Sequence, residues 1–218
     1  MKLHKQGLSQ FLWDTLCRFQ NEKLFANYYL VGGTALSLQM GHRISDDIDL
    51  FTEEELPKDR ILKFASSIRS NVEIINNDDT IFQIFFPDEI LKIDFVHYPY
   101  KLLSLASENT DNIRMAGKDD ISAMKMSAAG TRGNEAKDFI DLFFLLKEMS
   151  VYKIVENFKR KYETENVEHY LRSMVYFDDV PPASWDSIKM LSKKIPIDDV
   201  KKLLIGKVTE YSKSILKG

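Results

Sequence analysis

Residues 30–51 read LVGGTALSLQMGHRISDDIDLF. A hydrophobic run meets a doubled glycine. A short apolar segment follows, and the stretch closes on two aspartates one residue apart between hydrophobics. Residues 28–32 (YYLVG) predict a short buried strand, and residues 34–41 (TALSLQMG) predict a helix begun by Thr34 and stopped by Gly41. Residues 47–52 (DIDLFT) predict a second strand. Successive strand side chains point to opposite faces, so Asp47 and Asp49 project to one side while Ile48 and Leu50 take the other. Like charges that close repel, and a divalent cation between them removes the repulsion. Carboxylate oxygens suit Mg²⁺ or Mn²⁺, with substrate phosphates completing the coordination. Gly32, Gly33 and Thr34 supply the phosphate side. Glycines admit close backbone approach, the helix start offers amides, and the Thr34 hydroxyl can cap the helix or meet a phosphate oxygen. The plainer alternative is an exposed acidic strand, against which the apolar flanks argue.

Hydrophobic strand, Gly-Gly-Thr, helix and hydrophobically flanked Asp-x-Asp, in that order, resemble the nucleotidyltransferase superfamily of the polymerase β type. A third acid fits the pattern. In LKIDFVHY (91–98), Asp94 lies inside an apolar run, an expensive place for an unpaired charge. If that strand neighbours 47–52, Asp94 joins Asp47 and Asp49 as a metal ligand. Three carboxylates could then hold two metals, with Asp94 near the nucleophile as a general base. The alternative is an edge strand with Asp94 facing water. Arg43 either touches a phosphate or makes a surface salt bridge to Asp46. His97 is left outside the core site.

Around this element, residues 8–26 and 58–70 predict amphipathic helices. Strands are expected at 72–76 and 80–86, with a hairpin turn at 76–79 (NNDD). Helices are expected at 118–129 and 135–149, parted by GTRGN (130–134). The remainder reads as helical, broken by a loop at 177–185 (FDDVPPASW), where two prolines stand. The fold class is therefore α+β, a mixed sheet with flanking helices over residues 1–110 followed by a helical half over 111–218.

The 218-residue chain carries a formal charge of −3, which gives no global reason to expect nucleic-acid binding. Residues 151–218 hold 13 Lys+Arg against 10 Asp+Glu, whereas residues 1–150 hold 17 against 23. The acidic part thus contains the motifs. One cysteine, Cys17, excludes a disulfide framework and suits a reducing, cytoplasmic setting. No window has the run of apolar residues a membrane span needs, and the N-terminus lacks a signal-peptide core.

The segment DDISAMKMSAAGTRGNEAKDFIDLFFLL adds a second cluster. Lys125 is a lone cation among small and apolar residues, and Asp138 and Asp141, three apart, share a helix face. An ammonium so placed must reach solvent or meet an anion, such as a triphosphate. The plain alternative is a surface lysine and a solvated aspartate pair. Taken in order, GGTAL, GHRxSxDIDLF, KIDF, KMxAxxxRxxxKDFIDLFFL and MVYFDDVPPASW look like the AbiEii/AbiGii-type nucleotidyltransferases, over residues 28–185. These are toxin partners in abortive-infection and type IV toxin–antitoxin systems. The resemblance implies a metal-dependent transfer of an NMP from an NTP to a hydroxyl on an RNA end (such as tRNA) or a protein. It implies a cognate antitoxin as partner. It places Gly33 and Thr34 beside the triphosphate, makes Asp47 and Asp49 metal ligands, sets Lys125 on the phosphates, and gives a catalytic role to Asp138 or Asp141, between which spacing does not choose. The helical half would then contribute to the site. The competing readings are a non-catalytic binding module on the same fold and a small-molecule (antibiotic) nucleotidyltransferase.

Overall fold

The computed structural model describes residues 2–105, 109, 111–191 and 193–216. The chain divides into two compact units. The first comprises residues 1–101 and 105–116, and the second comprises 102–104 and 117–218. The division falls a few residues beyond the position expected from sequence, because residues 113–116 return to the sheet of the first unit. There Leu30 donates its amide to Arg114 and accepts from Ala116.

In the first unit the elements are α1 (Gln10–Asn21), β1 (Tyr29–Leu30), α2 (Gly32–Met40), β2 (Asp47–Thr52), α3 (Lys58–Ile68), β3 (Glu73–Asn77), β4 (Ile81–Phe86) and β5 (Leu91–His97). The five strands form one mixed sheet in the order β1-β2-β5-β4-β3. Among the five named strands, β2 and β5 pair in parallel, while β1–β2, β4–β5 and β3–β4 are antiparallel. The predicted turn before Ile81 closes the β3–β4 hairpin, with Asp78 accepting from the Thr80 and Ile81 amides.

Alternation divides the sheet into two faces with different tasks. Ile48 and Leu50 of β2, Ile93 and Phe95 of β5, and Phe82 and Ile84 of β4 are buried together. They meet α1 and α3 through an aromatic cluster in which Phe19 stands 5.4 Å from Phe95 and 5.1 Å from Phe64. Each such side chain stabilises the fold by about 1.5–3 kcal/mol on burial. The opposite face carries Asp47, Asp49 and Phe51 on β2 and Lys92, Asp94 and Val96 on β5, all half-buried.

The second unit is helical: α4 (Lys118–Thr131), α5 (Ala136–Glu148), α6 (Val151–Tyr162), α7 (Glu168–Ser173), α8 (Pro182–Asp186) and α9 (Ile197–Ile215). Phe139 and Phe143 of α5 pack in one core with Ile154 and Phe158 of α6 and with Leu204 and Val208 of α9. A buried ion pair, Asp120–Lys161 at 2.7 Å, ties α4 to α6. The Asp120 carboxylate also accepts from the Leu103 and Ser104 amides, which offsets its desolvation. The loop expected at 177–185 contains the start of α8. Pro182 occupies the first helical position, where its fixed φ and missing N–H suit a helix start, and Trp185 is thereby buried. Among the described residues, no helix is long and apolar enough to cross a membrane.

Candidate active site

The geometry begins with β2 and β5. Their parallel register sets Asp49 opposite Asp94 and Asp47 opposite Lys92. All four side chains therefore rise from one face, and Asp94 does not sit on an edge strand. Lys92, which the sequence reading passed over, places its Nζ 3.0 Å from Asp94 Oδ2. Burial pulls the Lys92 ammonium down, but Asp94 foremost, then Asp47 and Asp49, outweigh it and leave the group raised above the ordinary lysine range. The signal for Lys92 was present in the alternation itself, since residues two apart on a strand share a face. The second Asp94 oxygen, Oδ1, is buried without a hydrogen-bond partner. A bare buried carboxylate oxygen is costly and calls for an explanation such as an ion or substrate.

With β5 beside β2, the three acids were expected to be able to hold two metals between them. Among the described residues, no group of three or more His, Cys, Asp or Glu side chains is arranged to hold a metal ion. Asp47, Asp49 and Asp94 share one face of the sheet. Two carboxylates nevertheless fit a magnesium-type cation, which commonly takes one or two and fills its other positions with phosphate and water. The orphaned Asp94 oxygen beside them shows that this face has unspent acceptor capacity.

The glycine turn faces the same acids. Val31 donates its amide to the Asp49 carbonyl, which fixes the turn to β2. Gly32 has φ +67°, and a Cβ there would overlap Asp49 Oδ2, so both backbone angle and space demand glycine. At Gly33 a Cβ would overlap the Arg43 guanidinium, with Ser45 Oγ close behind. Arg43 is 4% exposed and donates from Nη1 to the Ile44 carbonyl at 3.0 Å, a buried position unlike the surface salt bridge considered from sequence. Helix α2 starts at Gly32, two residues earlier than expected, and no side chain caps it. Uncapped first-turn amides together with a guanidinium suit an anion. Thr34 neither begins nor caps the helix. Its buried hydroxyl donates to the Asp47 carbonyl and lies 2.8 Å from Ser45 Oγ, so it anchors the start of the acidic strand.

Within the helical unit, Lys125 of α4 meets its anions locally. Its Nζ lies 2.7 Å from Asp138 Oδ1 and 2.6 Å from Asp141 Oδ2. The three side chains are 6%, 2% and 0% exposed. Neither a surface lysine nor a solvated aspartate pair describes them. Both aspartates engage Lys125, so the choice that spacing left open does not arise for this contact. Arg132, from the loop after α4, adds bonds to Asp138 Oδ2 through Nε at 2.8 Å and Nη2 at 2.7 Å. Burial pushes the Asp138 carboxyl up, but Lys125 and Arg132 outweigh it and hold it below the usual carboxylate range.

Residues 14–204 match the family described as nucleotidyl transferase AbiEii toxin, type IV TA system. The chain belongs to the AbiEii nucleotidyltransferase toxin family. An uncharacterized protein of Aquifex aeolicus (strain VF5), aq_aa25, is 34% identical over 193 residues, which cover 85% of this chain and 88% of that one. Solved structures agree on the fold. MenT4, the nucleotidyltransferase toxin Rv2826c of Mycobacterium tuberculosis H37Rv, superposes with a TM-score of 0.61 at 13% identity, covering 90% of this chain and 80% of that one. An H. pylori protein provisionally described as a nucleotidyltransferase gives 0.60 at 16% identity, covering 98% and 95%. This AbiEii-family chain is accordingly a nucleotidyltransferase of α+β fold, with a mixed five-stranded sheet and a helical C-terminal half.

Proposed function

We propose that this AbiEii-family protein transfers a nucleoside monophosphate from an NTP to an acceptor hydroxyl, with release of pyrophosphate, and serves as the toxin of a toxin–antitoxin pair. The reading rests on one observation: Asp47 and Asp49 share a strand face beside an uncapped Gly32-Gly33 helix start, with Asp94 in register across the parallel pair. Asp47 and Asp49 would hold a divalent cation, which supplies charge neutralisation at the phosphates. The Gly32 and Gly33 amides and Arg43 receive the polyphosphate. The acceptor oxygen attacks the α-phosphorus and the bond to pyrophosphate breaks. Asp94, through its bare Oδ1, takes the acceptor proton. The protein's own contribution is mostly orientation and fixed charge. The family resemblance also assigns Lys125 and Asp138 or Asp141 to the reaction. Their mutual ion pairs make this a separate proposal, with its own variants below.

The test is incubation with each α-labelled NTP, Mg²⁺, and RNA, protein or aminoglycoside acceptors. Labelling of RNA or protein is expected, and Asp49→Asn should reduce it by about 10³-fold or more while the circular dichroism spectrum holds. Turnover by Asp49→Asn at the wild-type rate would remove the acidic strand from the mechanism. Nucleotide binding without labelling of any acceptor would favour the non-catalytic module.

A further inference from the structure

We propose that Lys92 occupies the place of a second metal ion, so that this site works with one divalent cation, held by Asp47 and Asp49. The inference rests on the nucleotidyltransferase reading and specifies its metal stoichiometry.

A two-ion arrangement needs a carboxylate oxygen shared or supplied on the acceptor side of the site. Asp94 is the acid available there, because β5 lies beside β2 with Asp94 opposite Asp49. One of its oxygens is already taken by the Lys92 ammonium at 3.0 Å. Lys92 rises from the same face, opposite Asp47, so its charge is fixed among all three acids rather than borrowed from a distant surface. A dication approaching Asp94 therefore meets a like charge at contact range, and the loss of one favourable hydrogen bond compounds the repulsion.

The contact also shapes what Asp94 can do. With Oδ2 held by Lys92, Oδ1 is left buried and bare. A carboxylate that presents a single fixed oxygen is suited to accept a proton from an incoming hydroxyl. Lys92 is thus a positioning residue: it orients the base and excludes the second ion, and touches neither bond that changes.

The experiment is a Mn²⁺ titration of the full chain with a non-hydrolysable NTP analogue, read by electron paramagnetic resonance of free Mn²⁺ and by calorimetry. One bound equivalent is expected for the wild type and for Lys92→Arg. Two are expected for Lys92→Met, the second gained through an affinity increase on the order of ten-fold or more. Asp94→Asn, which keeps the side-chain shape, should still bind one. Two equivalents in the wild type, no gain in a folded Lys92→Met, or loss of the single ion in Asp94→Asn would each overturn the inference. If Lys92→Met does not fold, the wild-type and Asp94→Asn counts still decide. No bound Mn²⁺ in any form, with labelled transfer intact, would instead defeat the metal assignment to Asp47 and Asp49.

Discussion

Lys125→Met is the most informative single change in the helical unit. It removes a cation that lies 2.7 Å from Asp138 and 2.6 Å from Asp141 and replaces it with an unbranched apolar chain of similar length. Asp138 retains Arg132, bonded through Nε and Nη2, so its charge is still partly matched. Asp141 is fully buried and bears most of the loss. Removing one partner of a buried ion pair typically costs about 3–5 kcal/mol. The surviving Arg132 contact keeps the loss within that range rather than doubling it. For a chain of this size the apparent Tm should fall by about 6–20 °C. Calorimetry and urea unfolding followed by far-ultraviolet circular dichroism would measure it. The companion double variant Lys125→Met, Asp141→Leu should recover much of the loss, since an apolar replacement of the pair leaves no uncompensated charge. The pH dependence has a definite sign. The folded Asp138 carboxyl is held below its unfolded value, so its stabilisation is present above the ordinary carboxylate range and is lost as pH falls through the lowered folded value. Lys125→Met should weaken that acid-side dependence. A loss below about 1 kcal/mol, with the acid limb of the stability curve unchanged, would refute the claim that Lys125 neutralises these acids. The measurement also guards the functional reading, because activity lost in Lys125→Ala bears on phosphate binding only where the variant is folded at the assay temperature.

Other changes act on the first unit. Gly33→Ala must displace the Arg43 guanidinium, and should weaken NTP binding by about ten-fold or more in equilibrium dialysis, while leaving the fold intact. Unaltered affinity would show that Arg43 and the Gly33 amide do not receive the phosphates. Thr34→Val keeps shape but removes the donor to the Asp47 carbonyl and the partner of Ser45, and should cost about 1–3 kcal/mol by urea unfolding. Wild-type stability in that variant would mean that the hydroxyl does not anchor the acidic strand.

How much of this could be read from sequence depends on the range of the interaction. The facing of Asp47 and Asp49 followed from strand alternation, and β2 runs over residues 47–52 as expected. Asp94's position beside Asp49 did not follow, because it requires β5 to cross past β3 and β4 in sequence order and insert next to β2. Local pattern identifies such a strand but not its neighbour. Thr34 was misread as a helix start for a related reason. Gly32 at φ +67° opens α2 early, and only the tertiary contact to the Asp47 carbonyl shows what the hydroxyl does. Lys125 was expected either to reach solvent or to meet an anion such as a triphosphate, and composition could not say that Asp138 and Asp141 stand beside it. Pro182 was read as a loop marker, although a proline at the first helical position is as natural a start as a break.

The parallel β2–β5 pair explains why one small sheet can be both core and candidate catalyst. A register slip of a single residue would send Asp94 to the buried face and Ile93 or Phe95 to the polar one. The apolar set on β5, with Phe95 clasped by Phe19 and Phe25, makes that slip prohibitively unfavourable. The aromatic core therefore holds the acids in register from behind, without touching them. The same constraint acts on Lys92, whose pairing with Asp94 depends on their separation by two residues on a strand that cannot rotate. Variation at Phe95 should accordingly disturb the acidic face as well as stability. The charge arrangement of the site is, in this sense, a consequence of how the other side of the sheet packs.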